Sequence, residues 1–468
     1  MRSVVLICLD TVRKDYFDRY ARRIPQRADV SFEECRAASS WSVPSHASIM
    51  LESLPHRHGV HDYNRGYDGI DPDDTFLSRL PDHESLGASA NVYASSAFGF
   101  NELFDEFLEV SPDRRYPKGI HVGRFGYDFD GDGIRKYLGF IPAALTHDYP
   151  VQSFLNGASV GIERMVEKLP VPTPFDDGAK IISKVGADAV ERTDGPFFLF
   201  TNFMEAHAPH RAAAHYDSEL YSAPNTWDSS AFDKWDINLG GEAGLEANEK
   251  HVTYYRELYG AAIEYLDRQV SAFMDRVQAA ADHEVTFIVT GDHGENLGKE
   301  EDGYLLGHDS SLSEGLVHVP CYIVNPPEGY DEFEDELFSH LGLGELIVGL
   351  ANDETPDVFE DRISAELVGS TNASPPEDAE YWTRMLRSVY LAPDEKIVWD
   401  SLGTGLRYER RADGDGWREV GETDEFEALD EALFDVPIAE YQQSAAAGEQ
   451  SADVHQATRD RLEELGYL

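Results

Sequence analysis

Three apolar runs most constrain what this chain can fold into: residues 4–9 (VVLICL), 197–203 (FFLFTNF) and 285–289 (VTFIV). Continuous apolar runs of this length suit strands buried on both faces. Helical patterns separate them, over residues 179–191 and 248–280. In the longer pattern Tyr254, Leu258, Ala261, Ile263, Leu266, Val270, Phe273 and Val277 keep one apolar face. Shorter strand candidates occupy residues 32–36, 88–94 and 320–324. This alternation predicts an α/β fold with a mostly parallel central sheet covered by helices on both faces. Residues 110–176, rich in Gly, Pro, Tyr and Asp, and residues 208–246 read as irregular surface insertions. A polar stretch over 350–376 separates a unit of residues 1–355 from a small α+β unit of residues 376–468. Residues 389–392, 396–401 and 406–410 suit an antiparallel sheet there, with loose helix or linker over 420–455 and a helix over 459–465.

Each of the three runs ends in side chains that hold metals or move protons: Asp10, then Glu205 and His207, then Asp292 and His293. In open α/β sheets ligands bind beyond the carboxyl ends of the strands, so these residues converge on one candidate site. Asp10 and Asp292 offer hard oxygens and His293 an imidazole, a set that suits Mg²⁺, Ca²⁺, Mn²⁺ or Zn²⁺. Residues 40–50 (SWSVPSHASIM) supply a fourth element. Pro44 suits the first helical position, which places Ser42 at or just before a helix start whose unpaired N–H groups favour an anion. An isolated Ser42 reads as a helix cap. Beside a metal it reads as a nucleophile that also touches the ion.

The chain carries 88 acidic and 39 basic residues, a formal net charge of −49. Such a surface repels nucleic acid and anionic membranes. It also repels itself at low ionic strength, whereas molar salt screens charge within about 3 Å. With 41% hydrophobic residues the acidity does not signal disorder. A salt-filled, halophile-type cytoplasm is the expected setting. Cys8, Cys35 and Cys321 cannot all pair, and they read as buried thiols. The apolar run at the N-terminus is too short for a signal peptide, and no run approaches the roughly 18 residues of a membrane span.

Several motifs in order resemble the alkaline phosphatase-like superfamily, specifically its sulfatase branch. They are residues 9–15 (LDTVRKD), 40–48 (SWSVPSHAS), 54–60 (LPHRHGV), 104–107 (FDEF), 202–209 (NFMEAHAP), 289–296 (VTGDHGEN), Gly307-His308, 317–320 (VHVP) and 462–468 (LEELGYL). The resemblance implies that Asp10, Ser42, Asp292 and His293 ligate a divalent metal and that Ser42 is the nucleophile. It implies that His207 and His308 stand near the transferred group or its leaving oxygen. Some relatives carry two metals, and Glu205, His210 or His308 could help hold a second. The implied activity is hydrolysis of a sulfuric ester, of a sulfated sugar or similar small ester.

The sequence departs from the family pattern in three places. Sulfatases convert Cys or Ser to formylglycine within C/S-x-P-x-R, but here the last position is His46. The paired Asp at the first strand end is Asp10-Thr11, and the Lys and His of a GKWHLG-like stretch are missing near residues 96–100. These departures keep two alternatives open: phosphoester hydrolysis or phosphoglycerol-type transfer by unmodified Ser42, and a non-catalytic member that binds an anion. Asp128-Phe129-Asp130-Gly131-Asp132-Gly133 begins like a calcium loop, but Gly139 stands where the bidentate Glu belongs, so a solvated turn is expected. His56, Arg57 and His58 either line the pocket mouth or are polar loop residues.

Overall fold

The computed structural model describes residues 1–129, 134–166, 169–308, 310–369, 379–411, 416–449 and 454–465. Eight strands form the central sheet: β1 (Ser3–Leu9), β2 (Val30–Arg36), β3 (Glu84–Ser89), β4 (Glu106–Glu109), β5 (Phe197–Phe203), β6 (Val285–Gly291), β7 (Cys321–Val324) and β8 (Phe333–Ser339). Their order is β8-β2-β7-β6-β1-β5-β3-β4, and β7 alone runs antiparallel to its neighbours. The predicted parallel runs β5, β1 and β6 are thus adjacent and central.

Both faces of β1 are buried, as its unbroken apolar run requires. Val4, Leu6 and Cys8 pack into one core, and Val5, Ile7 and Leu9 into the other. The first core is covered by helix α1 (Ser42–Leu51) and the helix Leu343–Ala351, the second by the helix Ala179–Val190 and the long helix Glu249–Ala280. The three cysteines are free and buried.

A second, antiparallel sheet joins β9 (Ile363–Leu367), β10 (Leu386–Ala392), β11 (Glu395–Asp400), β12 (Gly405–Arg410) and β13 (Trp417–Glu422) in that order. Its first strand precedes residue 376, inside the stretch read as polar linker. Ile363, Ala365, Leu386 and Tyr390 share the core under α1, so this sheet packs against the central one.

Three expectations need correction. Residues 88–94 are not a strand: β3 ends at Ser89, and the chain turns at Asn91. Residues 110–176 are not irregular, because they contain α2 (Val122–Asp128), α3 (Ile134–Thr146) and α4 (Pro150–Val166). Pro142 and several glycines hid the amphipathic periodicity of α3 and α4, since these residues are poor helix formers. Residues 208–246 likewise include the helix Lys234–Ala247, whereas the 420–455 stretch, read as loose helix or linker, does hold the helices Glu425–Leu433 and Ile438–Ala447. Asp130–Gly133 of the calcium-loop-like stretch and residues 466–468 of the terminal motif lie outside the described residues. No helix among the described residues is long and apolar enough to cross a membrane.

Candidate active site

Leu9 pairs with Phe203 on one side and Gly291 on the other, so β1, β5 and β6 end level. That register sets Asp10, Met204 and Asp292 abreast at the carboxyl edge. Thr11 then adopts a left-handed backbone, φ 60°, which costs a non-glycine residue energy and is typical of functional turns. Its N–H donates to Asp292 Oδ1 at 3.2 Å, and its hydroxyl donates to the Asp10 carbonyl at 2.7 Å. The second position of the expected Asp pair therefore serves the backbone instead of offering an oxygen to the site.

Helix α1 begins at Ser42, with Trp41 as its cap and no side-chain capping bond. Ser42 is thus the first helical residue and not an N-cap. Pro44 sits two residues further on, where its missing N–H is still harmless because the first four N–H groups have no helical partner. The Ser42 hydroxyl is free to face the strand ends. It donates to Asp10 Oδ2 at 3.2 Å and lies 3.4 Å from His293 Nε2. Asp10, Asp292 and His293 bring ligand atoms within 4.8 Å of one another, all fully buried.

This cluster fits a divalent cation. Asp10 Oδ1 and Asp292 Oδ2 are buried without a hydrogen-bond partner, which is costly for two carboxylates unless a cation stands between them. Burial, reinforced by the Asp292 charge, raises the Asp10 carboxyl above its usual range, and burial pushes Asp292 to about 6. His293 is held down to about 4 by burial and by His308, so Nε2 keeps a lone pair for a metal. Its Nδ1 meets the Gly294 carbonyl at 2.8 Å, which fixes that tautomer. Among the described residues no Lys or Arg bonds to Asp10, Ser42, Asp292 or His293.

The two further histidines reach the same place. The His308 ring centroid is 5.1 Å from that of His293 and 5.4 Å from that of His207. His308 Nδ1 bonds to Glu295 Oε2 at 2.9 Å, and Tyr255 donates to the other Glu295 oxygen at 2.6 Å. Despite its burial, Glu295 is held down to about 2, chiefly by His308. Burial lowers His207 to about 4.

Other candidates stand elsewhere. Glu205 turns away and accepts the Ala179 N–H at the start of the helix Ala179–Val190, at 2.6 Å. His210 packs edge-on against Tyr255, and among the described residues no metal-type group includes Glu205, His210 or His308. His56 bonds to Glu366 on β9, Arg57 to Asp435 and His58 to Ser48, so the three brace helix α1 and the second sheet instead of the pocket mouth. His46, at the arginine position of the motif, is buried 3.4 Å from Asp292 Oδ2 and 3.7 Å from Cys8 Sγ.

One residue escaped sequence reasoning. Asn91 donates to Asp10 Oδ2 at 2.5 Å and to Ser42 Oγ at 3.0 Å, and its own Oδ1 accepts the Tyr93 N–H at 2.8 Å. Asn is rare in strands and common in turns, so its place within ASANVYA was the available signal.

The sulfatase family model matches residues 2–352. The uncharacterized sulfatase YidJ of Escherichia coli (strain K12) is 23% identical over 173 residues, which are 36% of this chain and 34% of that protein. The chain thus matches about a third of this relative's length. Among solved structures, the phosphonate monoester hydrolase of Agrobacterium radiobacter superposes with a TM-score of 0.60 at 14% identity, over 96% of each chain. The phosphonate monoester hydrolase SpPMH of Silicibacter pomeroyi gives 0.57 at 15% identity, over 97% of this chain and 96% of that one. BT1596, a 2-O GAG sulfatase, gives 0.59 at 13% identity, over 98% of this chain and 96% of that one. At such identities the structural likenesses establish the fold, and the family match carries the assignment. This chain belongs to the sulfatase family.

Proposed function

We propose that the chain hydrolyses a sulfuric ester of a sugar or another small alcohol, with Ser42 as nucleophile and a divalent ion held by Asp10, Asp292 and His293. The supporting observation is the pair of unpartnered oxygens, Asp10 Oδ1 and Asp292 Oδ2, gathered with His293 beside a hydroxyl on a helix start. Bound there, Ca²⁺, Mg²⁺, Mn²⁺ or Zn²⁺ would polarise the ester oxygens and lower the pKa of the hydroxyl.

The chain's own groups then do the following. Asp10 Oδ2 already accepts the Ser42 hydroxyl and is placed to take its proton. Asn91 fixes both partners through one amide group. Ser42 Oγ attacks the sulfur in line with the ester oxygen, and the new S–O bond forms as the bond to the leaving oxygen breaks. Unpaired N–H groups at the start of α1 face the charge that develops. His207 or His308 donates the proton that lets the alcohol leave. Water then displaces sulfate from Ser42 and restores the hydroxyl.

A second reading, phosphoester cleavage by unmodified Ser42, is favoured by His46. The arginine of the formylglycine motif is absent, and its place is buried against Asp292. The net charge of −49 supports a salt-rich cytoplasm as the setting.

The test is hydrolysis of paired aryl sulfate and aryl phosphate in concentrated KCl with each metal in turn, alongside mass spectrometry of the peptide containing residue 42. Sulfate turnover that Ser42→Ala abolishes supports the first reading, and loss of two hydrogens at Ser42 would identify the aldehyde. Phosphate turnover alone selects the second. Turnover of either ester that survives Ser42→Ala overturns both.

A further inference from the structure

A cavity of about 1220 Å³ adjoins the site. Its inner end is lined by Asn91 and His207, and its outer walls by α2, α3, α4 and the helix Gln456–Glu464. Asn91 bonds to Ser42, so a single side chain stands between the cavity and the nucleophile.

The outer walls are unlike the rest of the molecular surface. Tyr127, Tyr137, Ile141 and Phe154 line the cavity with 49%, 61%, 47% and 39% of their surface exposed. Among the described residues, thirteen of the twenty exposed large apolar side chains fall between Tyr127 and Val171. Exposed apolar side chains concentrated around one cavity mark a binding site. Cations also gather here. Arg114, Arg115, Lys118 and Arg124 lie within fourteen residues that hold no carboxylate, in a chain of net charge −49. Arg114 and Arg124 line the cavity, and Arg124 Nε is buried without a hydrogen-bond partner. The lining thus carries both signs, with carboxylates such as Glu109 and Glu163 paired to Arg114 and Arg211, while Arg124 Nε stays without a partner.

We propose that the ester cleaved at Ser42 is an anionic amphiphile. Its sulfate or phosphate head passes Asn91 and His207, and an extended apolar alcohol portion lies along Tyr137, Ile141 and Phe154. Arg124, whose Nε has no hydrogen-bond partner, offers the head a cation, while the apolar wall removes the tail from water. A bilayer as such fits less well, because the acidic remainder of the chain repels anionic surfaces. The inference rests on the ester-hydrolase reading of Ser42.

The test uses primary alkyl sulfates and phosphates from ethyl to decyl, held below their critical micelle concentrations. Burial of one methylene raises affinity about fourfold, so decyl over ethyl should gain on the order of 10²-fold in kcat/KM with half the added methylenes buried. Ile141→Asn and Phe154→Ser should flatten that gain, with thermal melts reporting whether each variant folds. A second readout needs no turnover: calorimetric binding of decyl and ethyl phosphonate to Ser42→Ala protein with Mn²⁺. Hydrolysis with no dependence on chain length overturns the inference and leaves the ester-hydrolase reading standing. Binding that grows with chain length, without hydrolysis of any ester by the unaltered protein, supports an amphiphile as the cavity's ligand and overturns the ester-hydrolase reading. A flat series accompanied by cosedimentation with phosphatidylcholine vesicles, or by a dimer in sedimentation, would assign the apolar face to a membrane or a second copy instead.

Discussion

The side-chain amide of Asn91 stands 3.0 Å from the hydroxyl of Ser42, donating to it from a turn 49 positions further along the chain. The same nitrogen reaches Asp10 Oδ2, so one amide aligns the nucleophile with the carboxylate that accepts its proton.

Replacing Asn91 therefore tests alignment without removing any proposed metal ligand. Asn91→Ala should lower kcat about 10- to 100-fold, the usual cost of losing a group that orients a ligand or nucleophile. Bound metal, measured by mass spectrometry of the purified protein, should stay at the level of the unaltered chain. Loss of the metal together with the activity would show that Asn91 shapes the ion site itself.

The two buried carboxylates repel each other unless a cation lies between them. Addition of Mn²⁺ or Ca²⁺ to chelator-treated protein should raise the melting temperature, with about 2.7 kcal/mol of stabilisation at a hundredfold excess over Kd. Asp292→Asn should abolish that rise, and it should leave the metal-free protein at least as stable as the parent because one buried charge is gone. An unchanged metal response in Asp292→Asn would remove Asp292 from the ligand set.

Glu314 ties the second sheet to the first. It pairs with Arg36 at the end of β2, at 3.2 Å, and with Lys396 on β11, at 2.6 Å, and it accepts a hydrogen bond from Tyr390. Both cations are buried; Arg36 keeps Glu34 at 2.9 Å, but Glu314→Ala strands Lys396 without a carboxylate. The expected loss is about 3–5 kcal/mol in denaturant unfolding. A change below 1 kcal/mol would mean that water reaches the cluster.

Acid should destabilise the fold through neutral histidines. Burial, aided by His61 and His56, lowers His58 to about 3. Its Nδ1 accepts the Val60 N–H at 3.0 Å and its Nε2 lies 3.1 Å from Ser48 Oγ, a pattern that only the neutral ring completes. A group with a depressed folded pKa stabilises above its unfolded pKa, near 6.5, and loses that contribution as the pH falls toward the folded value. Unfolding free energy should therefore decline between about pH 6.5 and pH 3, with a slope approaching 1.4 kcal/mol per pH unit from this residue. His58→Gln should remove that share of the slope, as followed by denaturant titration at each pH.

Much of this molecule was legible in its sequence. Unbroken apolar runs permit only doubly buried strands, so β1, β5 and β6 and the residues at their ends could be placed from pattern alone. Asp10, Asp292 and His293 follow directly from that placement, and Ser42 from the helix that Pro44 announces. Tertiary structure decided the rest, because the deciding contacts lie far apart in the chain. Asn91 was hidden in a stretch whose local propensity suits a strand, but β3 pairs with β5 only as far as Ser89, and the turn that follows brings the amide to Ser42. Glu205 sits beyond a strand end like His207, yet it faces the helix Ala179–Val190, a direction that strand periodicity does not encode. Helices α3 and α4 carry Pro and Gly that weaken local helical preference, and their apolar cavity wall becomes visible only when they are set beside the site they border.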